Sequence, residues 1–430
     1  MRGRPVRAGL ALALAAVLCG TGPSASAVRT SVVALESETL GLGAHGVVQQ
    51  VTAEQLLPGS RVLAGTPDSA RELAAEQAWL AAGTVPRVAE LGDSTLVRDA
   101  LLDLRTLGLT TGVPVAGWNP AYRYVWPRDA ALAAAALART GHLADADAVL
   151  DFLQRVQPPS GVFAARYRTD GRVPDERPVQ LDGIGWALWA MAAVAQRLPA
   201  SQRPAFVARY RSLLDRSSAA ALASVDTADG LPRPSSDYWE RPERRLSLAT
   251  AALVRAGLQA AGPLYAAAGD PEARTRARST AVAADRLDAG ITGSFGAEGY
   301  PRYRGGSAGS TDLGAAFLLP PFADATDPDV LAAWRRGATA MLRPAGGLAP
   351  GGSWPDDGIS WTTSTSSYAL AAAASGDRAT AVSWLRWLDA HRTPAGSVPE
   401  KVLADGRPAS VAPLAWPAAA VVLAAADLQP

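Results

Sequence analysis

Four stretches of this 430-residue chain bring carboxylates, a guanidinium and tryptophans close together. In Tyr124-Val125-Trp126-Pro127-Arg128-Asp129 an acid stands beside an arginine, and a helix N-cap with a surface ion pair would account for that much alone. As a site, the pair is a clamp for two sugar hydroxyls, the carboxylate accepting and the guanidinium donating. Trp126 beside it would offer a flat apolar face to the C–H side of a sugar ring. Gln180-Leu181-Asp182-Gly183 repeats the theme at a helix start, with capping by Asp182 as the plain alternative. In Ser236-Asp237-Tyr238-Trp239-Glu240, with Glu243 close by, an aromatic wall would keep Glu240 protonated for general-acid work. An exposed Glu near a helix start is the plain alternative there. Pro399-Glu400-Lys401 supplies a second carboxylate, in a loop leading to Pro413-Leu414-Ala415-Trp416. Glycoside hydrolysis without a metal needs two such groups.

Rival chemistries are weaker. Gly305-Gly306-Ser307-Ala308-Gly309 matches the G-x-S-x-G nucleophile pattern, with Asp356 or Asp357 and His391 as partners for Ser307. That motif works only between a strand and a helix of an α/β sheet, and no such sheet is legible. A non-catalytic sugar-binding ring would keep the aromatics and the clamp yet tolerate loss of either Glu. A polysaccharide lyase would need a Tyr or His base and positive charge facing an acidic sugar.

Composition narrows the field further. Apolar residues make up 48% and charged residues 19%, a globular balance, and the net charge of +1 gives no reason to expect nucleic acid as a partner. Three histidines and the single Cys19 are too few for a zinc or iron–sulfur site, so no metal or other cofactor is expected. Trp, at 12, outnumbers Tyr at 9 and Phe at 6, which core packing alone does not require.

The elements that must hold these groups read as helix after helix. Apolar residues at three- and four-residue spacing recur in 69–82, 94–107, 130–139, 144–156, 185–196, 204–222 and 246–261. They continue in 271–287, 312–319, 328–342, 363–375, 379–391 and 414–428, about a dozen helices in all. Alternating β-branched runs are confined to 31–35 and 47–51. The loops between helix pairs carry the Gly, Pro, acids and most of the Trp, at a rhythm that suits a ring of helical hairpins gathering its loops at one end.

At the N-terminus, Arg2, Arg4 and Arg7 precede an apolar run to Leu18 and then Ala25-Ser26-Ala27. This reads as a secretory signal over 1–27, followed by an N-terminal extension over 28–69 and a catalytic domain over 70–430. The expected product is exported, a monomer, and free of the membrane once the signal is cut.

Taken in order, five stretches resemble the glucoamylase-type inverting glycoside hydrolases, glycoside hydrolase family 15 and its relatives. They are Ala116-Gly117-Trp118 with Tyr124–Asp129, Gln180–Gly183, Asp237–Glu240 with Thr250, Gly346-Gly347-Leu348 with Ser360-Trp361, and Pro399-Glu400 with Pro413–Trp416. The resemblance spans about residues 70–427. It implies an all-α (α/α)6 barrel, Glu240 as general acid and Glu400 as general base, with their carboxyl groups roughly 6.5–9.5 Å apart. It implies further that Trp126, Arg128, Asp129, Gln180, Asp182, Trp239 and Trp416 bind the sugar. The substrate class implied is α-linked glucose at non-reducing ends. Many relatives follow the acid with a second acidic residue, where this chain has Arg241 and Pro242. Relatives often have serine after the final Trp, where this chain has Pro417.

Overall fold

The computed structural model describes residues 33–429. The expected signal over 1–27, Cys19 and the first residues of the 31–35 run lie outside them. The chain opens with an antiparallel hairpin, β1 (Thr39–Leu42) and β2 (Val48–Val51), pairing Thr39 with Val51. Helices follow as α1 (Ser69–Ala82), α2 (Leu96–Gly108), α3 (Pro127–Arg139), α4 (Leu143–Val156), α5 (Asp182–Arg197), α6 (Arg203–Arg209) and α7 (Arg211–Ser224). Next come α8 (Leu248–Ala268), α9 (Pro271–Ile291), a 3₁₀ segment (Leu313–Leu318) and α10 (Pro328–Met341). The short strand β3 (Ser360–Trp361) leads into α11 (Thr362–Ala374) and α12 (Arg378–Ala390). Last are β4 (Lys401–Val402), β5 (Pro408–Ala409) and α13 (Ala415–Asp427). Strands β3, β4 and β5 form one small antiparallel sheet.

The helices close into a double ring. Around the inner wall α3 packs on α5, α5 on α8, α8 on the 3₁₀ segment, that segment on α11, α11 on α13, and α13 on α3. Outside them lie α2, α4, α7, α9, α10 and α12, each against an inner neighbour. This is the (α/α)6 barrel expected from the sequence. Composition explains which helices go inside: α13 is buried at every position from Ala415 to Ala426, and α3 at every position from Pro127 to Ala138. A helix apolar all round has no face to give to water. Small side chains also let neighbours approach. A Cβ on Gly185 of α5 would lie 2.0 Å from the Leu253 carbonyl oxygen of α8, and one on Gly257 would lie 2.7 Å from the Gly185 Cα.

Four elements differ from the sequence reading. The 204–222 run is two helices, α6 and α7, because Tyr210 leaves the helical region at φ −102°, ψ 19°. The 246–261 helix continues through Pro263 to Ala268. The 312–319 helix is a six-residue 3₁₀ segment, capped by Asp312 accepting from the Gly314 N–H and followed by Pro320 and Pro321, which cannot extend it. The first strand lies at 39–42, with Leu35 making only an isolated bridge to Ser410.

The extension before α1 is part of the fold. Its Arg61 forms a buried ion pair with Asp103 of α2 at 2.5 Å, and Thr39 shares a 2.6 Å hydroxyl contact with Ser397.

Candidate active site

Three inner helices, α3, α11 and α13, bring their N-termini to a cleft of about 300 Å³. Trp126 precedes α3, whose first turn carries Arg128 and Asp129; Trp416 lies in the first turn of α13, and Thr363 in that of α11. All five line the cleft with Tyr122, Arg177, Trp239, Glu240, Trp354, Trp361 and Glu400. Thus seven of the nine residues singled out from the sequence meet at one cavity, Glu240 and Glu400 among them. The Glu240–Glu400 loops come together only through the closed ring.

Gln180 and Asp182 were expected on the same wall but stand behind it. The Gln180 Oε1 accepts from Arg128 Nη1 at 3.1 Å, and Asp182 opens α5 beneath the guanidinium, 1% exposed. They hold the clamp without facing the cavity. Burial raises the Asp182 carboxyl to about 7, helped by Asp237 and Glu240 and opposed by Arg128. Burial also raises Asp129, to about 6, with Arg128 opposing and Glu240 assisting. The Asp129 Oδ2 lies 3.4 Å from Arg128 Nε and accepts no hydrogen bond among the described residues. The indole N–H groups of Trp126, Trp239 and Trp361 are likewise unpartnered, whereas that of Trp416 donates to Ser367 at 3.0 Å.

Glu240 ends a tight turn: its N–H donates to the Asp237 carbonyl at 2.8 Å, and its φ is +55°. A non-glycine residue in that region carries strain of order 1 kcal/mol. The turn is held from beneath by Arg302. This fully buried guanidinium donates to Asp312 at 2.6 Å, to Asp237 at 2.9 Å and to Glu243 at 2.8 Å, and lies 3.7 Å from the Trp239 ring centroid. Burial opposes the charge, but Asp312, Tyr238 and Asp237 outweigh it and hold the arginine well above its usual range. Glu243 is thereby sealed against Arg302 and Tyr303 and does not line the cleft. Trp239, Trp354 and Trp361 line the cleft with Glu240, but its carboxylate also meets two guanidiniums: Arg177 Nη1 contacts its Oε2, and Arg128 Nη2 lies 3.5 Å from its Oε1.

Glu400 is fixed by its backbone and its carboxylate. Its N–H donates to Val411 at 2.8 Å, and Thr362 donates to its carbonyl through both the amide and the hydroxyl, each at 3.1 Å. The Tyr122 hydroxyl donates to Oε1 at 2.8 Å and the Ser410 hydroxyl to Oε2 at 2.5 Å, with Lys401 Nζ 3.2 Å away. Burial and the neighbouring Glu400 push the Tyr122 phenol far up, so it stays a donor. Tyr122 and Arg177 went unread in the sequence. Their only signal was membership of the loops that carry the other site residues.

Ser307 sits in a loop outside the cleft, with no strand leading into it. His391 instead stacks on Trp387, its Nδ1 2.7 Å from the Trp387 carbonyl oxygen. The serine-hydrolase arrangement does not form.

Residues 102–196, from α2 through α5 with the Arg128–Asp129 clamp, match the family model of glycosyl hydrolases family 15. Over that segment the chain is similar to the glycosyl hydrolases of family 15. The match stops before Glu240. An isomaltose glucohydrolase of Kribbella flavida is 26% identical over 321 residues, 67% of this chain and 77% of that one. An uncharacterized glycosyl hydrolase of Methanocaldococcus jannaschii is 34% identical over 98 residues, 23% of this chain and only 15% of the relative's length. Among solved structures, a glycosidase variant complexed with glucose superposes with a TM-score of 0.67 at 22% identity, covering 79% of this chain and 97% of that one. A bacterial glucoamylase complexed with acarbose gives 0.64 at 18% identity, over 84% of this chain and 62% of its own. These structural likenesses show the glucoamylase fold.

Proposed function

We propose that the protein is a secreted, exo-acting, inverting α-glucosidase that removes terminal α-glucosyl units from soluble oligosaccharides or glucans. One observation carries this reading: Glu240 and Glu400 line the same small cleft beside the Arg128–Asp129 pair. In this scheme Asp129 and Arg128 hold the terminal sugar at the helix N-termini, with Trp126, Trp239 and Trp416 around it. Glu240 protonates the glycosidic oxygen. Glu400, oriented by Tyr122 and Ser410, takes the proton of a water attacking from the other face of the ring. Gln180 and Asp182 act through Arg128, fixing where its guanidinium points. Export rests on the basic, apolar and small-residue pattern over 1–27.

The purified protein, tested on isomaltose, maltooligosaccharides, trehalose and aryl α-glucosides, should release β-glucose first, as read by NMR of the fresh anomer. The isomaltose glucohydrolase relative makes the α-1,6 linkage the first choice. Release of α-glucose would reject inversion and with it the role given to Glu400.

Asp129 adds a pH dependence. Its carboxyl is raised to about 6, so the free protein protonates it as pH falls below that value. A neutral carboxyl accepts one hydroxyl fewer, so sugar binding should weaken on the acid side, by about tenfold between pH 7 and pH 5. Calorimetric Kd values for glucose, measured in a Glu400→Gln background, should show that slope, and Asp129→Asn should flatten it. An equal slope in the Asn variant would assign the titration elsewhere.

A further inference from the structure

Both oxygens of Glu240 are already engaged, Oε2 by Arg177 and Oε1 by Arg128. The two arginines differ in kind. Arg128 is buried and tied to Gln180, as the clamp requires. Arg177 stands at the mouth of the cleft, 38% exposed, on the loop between α4 and α5. Its other carboxylate neighbour is Asp175, 3.5 Å away, and Asp175 is already paired with Arg166. While Arg177 sits on Oε2, the lone pair that would carry a proton to a glycosidic oxygen is taken. A second guanidinium, Arg241, reaches the same rim 4.9 Å from the Trp354 ring and 5.6 Å from that of Trp239. Among the described residues it joins no ion pair. The other acids next to the rim residues in sequence are Glu176, Asp356 and Asp357, of which Asp357 accepts from the Ile359 N–H at 3.0 Å. None of the three is paired with Arg177 or Arg241.

With the terminal sugar held at Arg128 and Asp129, the leaving group must extend past Glu240 toward these two cations. We propose that Arg177 is a specificity gate favouring glycosides whose leaving group carries a negative charge: that charge draws the guanidinium off Glu240 and frees the carboxyl. The inference rests on Glu240 acting as the acid. A neutral leaving group must displace Arg177 without offering it a partner, and loses by the strength of that ion pair.

The test compares 4-carboxyphenyl and 4-carbamoylphenyl α-glucosides, which match in shape and differ in charge. At low salt the wild type should favour the carboxylate in kcat/KM by about fivefold, the size of a partly exposed ion pair. Added salt should shrink the ratio. In Arg177→Gln the ratio should fall close to one, with the neutral glucoside cleaved faster than by wild type. Equal rates in the wild type, or a preference that survives Arg177→Gln, would overturn the gate and leave the glucosidase reading standing. A wild type that cleaves neither compound would overturn both.

Discussion

Glu400→Gln should abolish turnover while sparing sugar binding. The amide has nearly the shape of the carboxylate and keeps an oxygen to accept from Tyr122, while Ser410 can rotate its hydroxyl to meet the new NH₂. The backbone anchors at Val411 and Thr362 do not involve the side chain, so the loop should stay in place. In the proposed scheme, what disappears is the group that takes a proton from water. General-base removal costs about 10²–10⁴-fold, and the loss should fall almost wholly on kcat. Calorimetry with glucose should give a Kd close to that of the wild type. Retained hydrolysis would place the base elsewhere, and lost binding would mean that the carboxylate holds the sugar directly.

Arg302→Met should be the most damaging change for stability. It strands Asp237 and Asp312, both at 0% exposure, and Glu243 at 9%, without their shared cation. Breaking a buried ion pair from one side costs about 3–5 kcal/mol, because the remaining charge is left uncompensated. Urea titration should show the midpoint falling by a corresponding amount. Activity should fall as well, since Asp237 accepts from the Trp239 N–H at 2.9 Å and so shapes the turn that presents Glu240. Adding Asp312→Asn should recover part of the stability by removing one stranded charge. A single variant as stable as the wild type would make the network incidental.

The ring was legible because Ala- and Leu-rich periodicity marks helices that pack on several sides, and α1 begins and ends where the spacing puts it. Ends were less so. The spacing starts this helix at Gly185, yet α5 begins at Asp182, and Gly185 lies inside it, where it permits close contact with Leu253. The fourth inner member could not be told from an α-helix, since a short apolar run carries no periodicity to separate 3₁₀ from α. In the site, carboxylates and tryptophans announced themselves by local clustering. Arg177 did not, because its meaning depends on Glu240, 63 residues away, and Tyr122 pairs with Glu400 across 278 residues. Gln180 and Asp182 had the right chemistry at the wrong depth, which depends on how far α5 is sunk into the barrel.

The closure of the inner wall by α13 has a consequence for the order of synthesis. Helix α13 fills the gap between α11 and α3, and the loop before it brings Glu400 to the Tyr122 hydroxyl and Ser410 to the Ala34 carbonyl. A nascent chain therefore leaves the ribosome with its wall open and its chemistry unassembled until this stretch emerges. Competence arrives all at once, with the segment that shuts the circle.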